Sequence, residues 1–107
     1  MAGGSAEQVF HASAIALKNI MGLICDPVAG LVESPCSKRN ASGAVNAFIS
    51  AEQALAGIKS AIPFDEVVQA MNLVGKAIPY EFRETALGGI AATDTAQEMT
   101  KRIYNKS

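Results

Sequence analysis

The chain has two thiols, Cys25 and Cys36, and they bracket one run, CDPVAGLVESPC, that holds two prolines and a glycine. Thiols so placed suit three kinds of chemistry: a disulfide, a share in a metal site, or none, as two separate buried side chains. Their surroundings differ. Cys36 stands where a helix is expected to begin, with Lys38 and Arg39 just after it, and helix-start amides and cations favour a thiolate. Cys25 stands near the carboxyl end of the preceding predicted helix beside Asp26, so its thiolate needs a cation to be favoured, and a metal would supply one. Against this, a C-x10-C pair lacks the two-residue spacing of zinc knuckles, and two thiolates leave a zinc ion half coordinated. Spacing alone favours two independent buried thiols.

Other sites are poorly supplied. His11 is the single histidine, which excludes two-histidine metal motifs within the chain, and a lone helical histidine is ordinarily a packing or surface residue. Gly88-Gly89 has neither the lysine nor the strand context of a phosphate loop. Asp65, Glu66, Glu81 and Glu84 read as solvated charges at helix starts and on helix faces. No catalytic acid or base is assigned.

The elements that must position the thiols are helices. Ser5-Ala-Glu-Gln8 is a capping-box pattern, and Val9, Phe10, Ser13, Leu17, Ile20, Met21 and Ile24 trace a stripe, so a first helix is predicted over residues 6 to 24. If the run from Cys25 to Cys36 were helical, its ends would lie roughly 16 Å apart. Pro27, Gly30 and Pro35 break that helix and permit the ends to fold back together. A second helix is predicted over 37 to 56, closing at Gly57. Its early turns, Ala41, Ser42, Gly43, Ala44 and Ala47, suit close approach by another helix or by a bulky cofactor.

Ile62-Pro63 opens a third element with an apolar face of Phe64, Val67, Val68, Met71, Leu73 and Val74, broken at Pro79. A short helix is predicted over 80 to 87, stopping at Gly88-Gly89. Thr95-Ala-Gln-Glu98 repeats the capping-box pattern before a terminal helix striped by Met99 and Ile103, and the tail KRIYNKS is expected to fray. No alternating strand pattern, repeat or low-complexity tract occurs. The fold class predicted is all-α: a compact bundle of four to five helices with small-residue packing, in a single helical domain over residues 1–107.

Composition bounds the function class. At 107 residues, 50% hydrophobic and net charge −1, the chain has the size of one domain and no basic field for nucleic acid or anionic lipid. Its apolar runs are too short to cross a bilayer, and MAGGSAEQ lacks the features of a secretory leader. The expectation is a cytoplasmic protein with neither nucleic-acid nor membrane partners, in a reducing compartment that disfavours a disulfide.

Two longer motifs add what spacing cannot. GLICDPVAGLVESPCSKRNASGAVNA and, downstream, RETALGGIAA resemble the carboxyl-terminal part of the α chain of iron-sulfur-dependent L-serine dehydratases (L-serine ammonia-lyases), over about Gly3 to Thr95. The resemblance implies elimination of water from L-serine, giving pyruvate and ammonia, with a 4Fe-4S cluster held by three cysteines and one iron open as a Lewis acid. It assigns Cys25 and Cys36 as two metal ligands and Asn40 to cofactor binding. Arg39 and Asn40 would hydrogen-bond the cluster or the substrate carboxylate, or else cap and cover their helix.

The third ligand, and the segments that would supply a base, are absent from these residues. The resemblance therefore implies the cluster-binding carboxyl-terminal segment of a longer α chain, inactive alone, with the rest of that chain, a β chain and L-serine as partners. Glu84, Thr85, Gly88 and Gly89 match the second motif without an evident role. The alternative reading is a helical interaction or scaffold module whose cysteines are buried and ligate nothing.

Overall fold

The computed structural model describes residues 3–31 and 34–105, and contains four α-helices: α1 (Ala6–Ile20), α2 (Cys36–Leu55), α3 (Phe64–Ala77) and α4 (Asp94–Tyr104). Three single 3-10 turns, Val28–Gly30, Tyr80–Phe82 and Gly89–Ala92, link them. Among the described residues the sole β feature is an isolated bridge between Cys25 and Arg83, so the all-α class holds. No described helix is long and apolar enough to cross a membrane. Val32 and Glu33 of the predicted loop, and Lys106 and Ser107 of the predicted tail, lie outside the described residues.

Contacts divide the chain into two units, and α2 contributes to both. Residues 3–22 and 42–77 form the first, a helix assembly in which α3 packs on α1. The capping box at Ser5 forms as expected: the Ser5 hydroxyl accepts from the Gln8 amide at 3.2 Å, and the Gln8 side chain accepts from the Ser5 amide at 2.8 Å. The core falls on Ala14, Ile15, Ala54 and Val67, whereas Val9 and Phe10 of the predicted stripe are exposed. The apolar stripe thus faces inward about one residue out of the expected register, on small side chains that let the helices approach.

Polar ties complete this unit. Asn46 donates to the Ala16 carbonyl and accepts from Asn19, both at 2.9 Å. His11 Nδ1 accepts from the Ser60 amide at 3.1 Å, while Lys18 donates to the Ser60 hydroxyl at 2.8 Å. His11 is therefore a packing residue that caps a loop. The small residues early in α2 are not closely approached: Ala41, Ser42, Ala44 and Ala47 are exposed, and a Cβ on Gly43 would meet nothing within 4 Å.

The described residues of 23–41 and 78–105 form the second unit, in which α4 lies against the turns Val28–Gly30 and Gly89–Ala92. Val28, Ala29 and Ala96 form its apolar cluster. Several expectations fail here. The first helix ends at Ile20 rather than residue 24, because Met21 turns extended and Gly22 enters the left-handed region at φ 88°. Cys25 consequently sits on an extended segment five residues past the helix.

The helix predicted over 80 to 87 shrinks to one 3-10 turn, since Glu84 (φ 64°) and Ala86 (φ 57°) are left-handed and cannot continue a right-handed helix. Gly88 is extended, and Gly89 opens the next turn instead of stopping a helix. The last helix is capped by Thr93, whose hydroxyl accepts from the Ala96 amide, two residues before the expected Thr95. It extends to Tyr104, whose hydroxyl donates to the Ala29 carbonyl at 2.8 Å, so the chain is tied down as far as that residue, where fraying was expected.

Candidate functional site

The site is built on the two ends of the CDPVAGLVESPC run. Pro27 holds the chain extended, Ala29 turns it left-handed at φ 55°, and the Val28 amide donates to the Ser34 carbonyl at 2.9 Å, which closes the loop on itself. The Ser34-Pro35 peptide is cis, and the Pro35 carbonyl accepts from the amides of Lys38 and Arg39 as α2 begins. Cys36 is thereby the first residue of α2. Folding back of the loop, permitted by its sequence, is what the chain does.

The second motif, RETALGGIAA, brackets the first thiol. Cys25 donates its amide to the Phe82 carbonyl, and its own carbonyl accepts from Glu84, both at 2.8 Å. A left-handed Glu84 is what turns its amide back toward Cys25; non-glycine residues in that region cost energy and tend to persist where surrounding contacts hold them. Thr85 donates to the Glu81 carbonyl and accepts from Leu87, closing the turn. A Cβ on Gly88 would lie 2.9 Å from the Phe82 ring, so that position requires glycine for close packing.

At the centre lies Asp26, only 1% exposed. Its carboxylate accepts from Arg39 Nη1 and, at 2.6 Å, from the Ile90 amide. The same Arg39 nitrogen donates to the Ile24 carbonyl at 3.2 Å. Burial alone would raise the Asp26 pKa, but the Ile90 amide and the Arg39 guanidinium outweigh it and hold the carboxyl below its ordinary value. Gly89 is left-handed at φ 63°, and a Cβ there would run into the Asp26 carboxylate. Sequence reading missed Asp26 as a hub; its one signal was an acid between an apolar stretch and a proline.

Both cysteines are free and half-buried. Burial, together with the negative charge of Glu84, Cys36 and Asp26, pushes the Cys25 thiol above its ordinary pKa against the opposing pull of Arg39. Asn40 lies one turn after Cys36 on α2 and is exposed. Arg39 braces the residues on either side of Cys25. Among the described residues no group of three or more His, Cys, Asp or Glu side chains converges to hold a metal ion. Two free thiols have the chemistry of soft-metal donors, and by number they could supply only part of a donor set.

The family model for the serine dehydratase alpha chain matches residues 1–91, which include both cysteines and nearly all of the second motif. The chain belongs to this family. A probable L-serine dehydratase alpha chain of Bacillus subtilis is 60% identical over 97% of this chain and 35% of its own length. The L-serine dehydratase alpha chain of Peptoniphilus asaccharolyticus is 54% identical over 94% of this chain and likewise 35% of its own length. L-serine dehydratase 1 of Escherichia coli is 42% identical over 83% of this chain and 20% of its own length. The chain thus spans about a third of the two alpha chains. No solved structure matches it significantly.

Proposed function

We propose that these residues form the cluster-binding, carboxyl-terminal segment of an L-serine dehydratase α chain, a single helical domain in which Cys25 and Cys36 supply two of three ligands to a 4Fe-4S cluster. The observation that carries this reading is the pair of free, half-buried thiols at the two ends of a loop that closes on itself, with the Cys25 backbone paired to Glu84 of the second motif. When bound, the cluster would supply Lewis acidity toward the hydroxyl of L-serine, which leaves in the conversion to pyruvate and ammonia. The chain's own residues hold and orient. Cys25 and Cys36 would hold the group as thiolates from a closed loop and a helix start, and its iron would add to Arg39 the positive charge that favours the Cys25 thiolate. Asn40, one turn beyond Cys36, would supply amide donors to the group.

The third cysteine, the proton-abstracting base and the β chain lie outside these 107 residues, so the segment alone is inactive. The remaining α chain is the natural cover for the exposed face of α2, where Val45, Phe48 and Ile49 stand 58%, 69% and 50% accessible. The compartment proposed is the cytoplasm, whose reducing conditions keep the two thiols free.

Anaerobic reconstitution of the full α chain and its β chain with iron and sulfide is expected to give broad charge-transfer absorption at the blue edge of the visible and pyruvate from L-serine. Cys25→Ala and Cys36→Ala each abolish both signals. Retention of both signals in either variant sinks the ligand assignment.

A further inference from the structure

We infer that Asp26 and Arg39 are positioning residues for the two thiols: their ion pair, joined by the Ile90 amide over Gly89, fixes the segment carrying Cys25 against the helix start carrying Cys36. The inference rests on the ligand reading proposed above. Its basis is the placement of the partners. Asp26 directly follows Cys25, and Arg39 lies three residues after Cys36 on the first turn of α2. One guanidinium nitrogen donates both to the carbonyl before Cys25, that of Ile24, and to the carboxylate after it. Cys25 is thus gripped from both sides by a residue belonging to the other thiol's helix.

The third leg comes from elsewhere in the chain. The Ile90 amide meets the other Asp26 oxygen at 2.6 Å, and Gly89 lets the backbone come that close because any Cβ there would strike the carboxylate. With the Cys25 amide and carbonyl already paired to Phe82 and Glu84, the backbone around this thiol has little freedom left. Both carboxylate oxygens of Asp26 accept protein donors and the residue is 1% exposed, so it is a brace and neither a ligand nor a proton carrier. An inorganic core of fixed size needs thiolates at a fixed separation, and donors on two different elements keep that separation only if the elements are tied to each other. Arg39 is the tie.

The test uses the full α chain with its β chain, in the variants Asp26→Asn, Arg39→Gln and Arg39→Lys, with Cys25→Ala alongside. Three quantities are read: helical circular dichroism, the rate at which cluster absorption is lost to a chelator, and alkylation of each cysteine in the metal-free protein, mapped by mass spectrometry. Asp26→Asn and Arg39→Gln are expected to keep their helices, lose the cluster about tenfold faster, and alkylate faster at Cys25 when metal-free. Arg39→Lys falls between, since the ammonium keeps the positive charge but is a point charge on a flexible stem without the rigid planar geometry of the guanidinium. Wild-type cluster lifetime and Cys25 labelling in Arg39→Gln overturn the inference. Because the Arg39 side chain is 32% exposed, this variant decides the matter even if Asp26→Asn fails to fold. Loss of the cluster in Cys25→Ala with wild-type behaviour in the brace variants defeats the positioning role alone, whereas retention in Cys25→Ala defeats the ligand reading beneath it.

Discussion

The two units of this chain are held together by different physics. In the first, where α3 packs on α1, Ala14, Ile15, Ala54 and Val67 are almost wholly out of water and are spread over three helices, so the apolar stabilisation is distributed. In the second, Val28, Ala29 and Ala96 form a buried apolar cluster among the described residues, and a carboxylate, a guanidinium and a handful of main-chain bonds hold the irregular backbone around Cys25 in place. Distributed apolar contact tolerates small changes. A polar knot does not, because a buried carboxylate deprived of one partner keeps its desolvation cost. The unit that carries both cysteines is thus the one built for fixed geometry, and the left-handed Ala29, Glu84 and Ala86 all fall within it.

The sharpest way to break the contrast is to add one methyl group to the polar unit. Gly89→Ala forces a left-handed alanine and drives its Cβ into the Asp26 carboxylate, so it should destabilise the second unit by about 3 kcal/mol. Denaturant unfolding of the α chain, with amide exchange to localise the loss, checks this. Exchange should quicken at Cys25, Glu84 and Ile90 while α1 and α3 stay protected; a neutral Gly89→Ala would mean that the carboxylate moves freely and that the knot is loose.

The comparison also explains what could be read in advance. The first unit was largely legible: the capping box at Ser5 forms bond for bond, α2 begins and ends within one residue of expectation, and α3 starts after Pro63 and stops before Pro79. Periodicity and caps are local signals, and this unit is made of local elements. Even there the inward face was misjudged, since Ala14 and Ile15 are buried and Phe10 is not, because an apolar stripe broad enough to turn either way is settled by what packs on it.

The same reasoning failed at the end of the first helix, where the first unit gives way to the second, and within the second at residues 80 to 87 and at the Thr93 cap. Those segments are shaped by partners far away in sequence, such as Cys25 for Glu84 and Asp26 for Gly89 and Ile90. The motif matches at Glu84, Thr85, Gly88 and Gly89 had no evident role in one dimension. Folded, Glu84 bonds the Cys25 carbonyl and Gly89 packs on the Asp26 carboxylate, while Thr85 and Gly88 shape the turn between them. Nothing local in CDPVAG says that the acid, rather than the thiol, is the buried centre.

Removing bulk from the apolar unit gives the opposite test. Val67→Ala takes two methyl groups from a side chain that is 1% exposed, and a loss of about 2 kcal/mol is expected from transfer and residual cavity together. Here α1 and α3 should exchange faster while the segment around Cys25 keeps its protection and cysteine alkylation in the metal-free chain is unchanged. A Val67→Ala variant that opened Cys25 to alkylation would show the two units unfolding as one.

The smallest effect tests how much of the polar unit's fixity comes from its periphery. Tyr104, near the end of α4, donates its hydroxyl to the Ala29 carbonyl, while Ala29 occupies the left-handed region and belongs to the loop that joins the two cysteines. Tyr104→Phe deletes that one bond and leaves the ring, so it should cost about 1 kcal/mol or less. Its signature is local: the Leu31 amide, bonded to the Val28 carbonyl within this turn, should exchange faster, whereas the Ile90 amide on Asp26 should not. Acceleration at Ile90 as well would mean that α4 supports the brace directly, and the fixed geometry around Cys25 would then belong to the whole unit rather than to the Asp26–Arg39 pair.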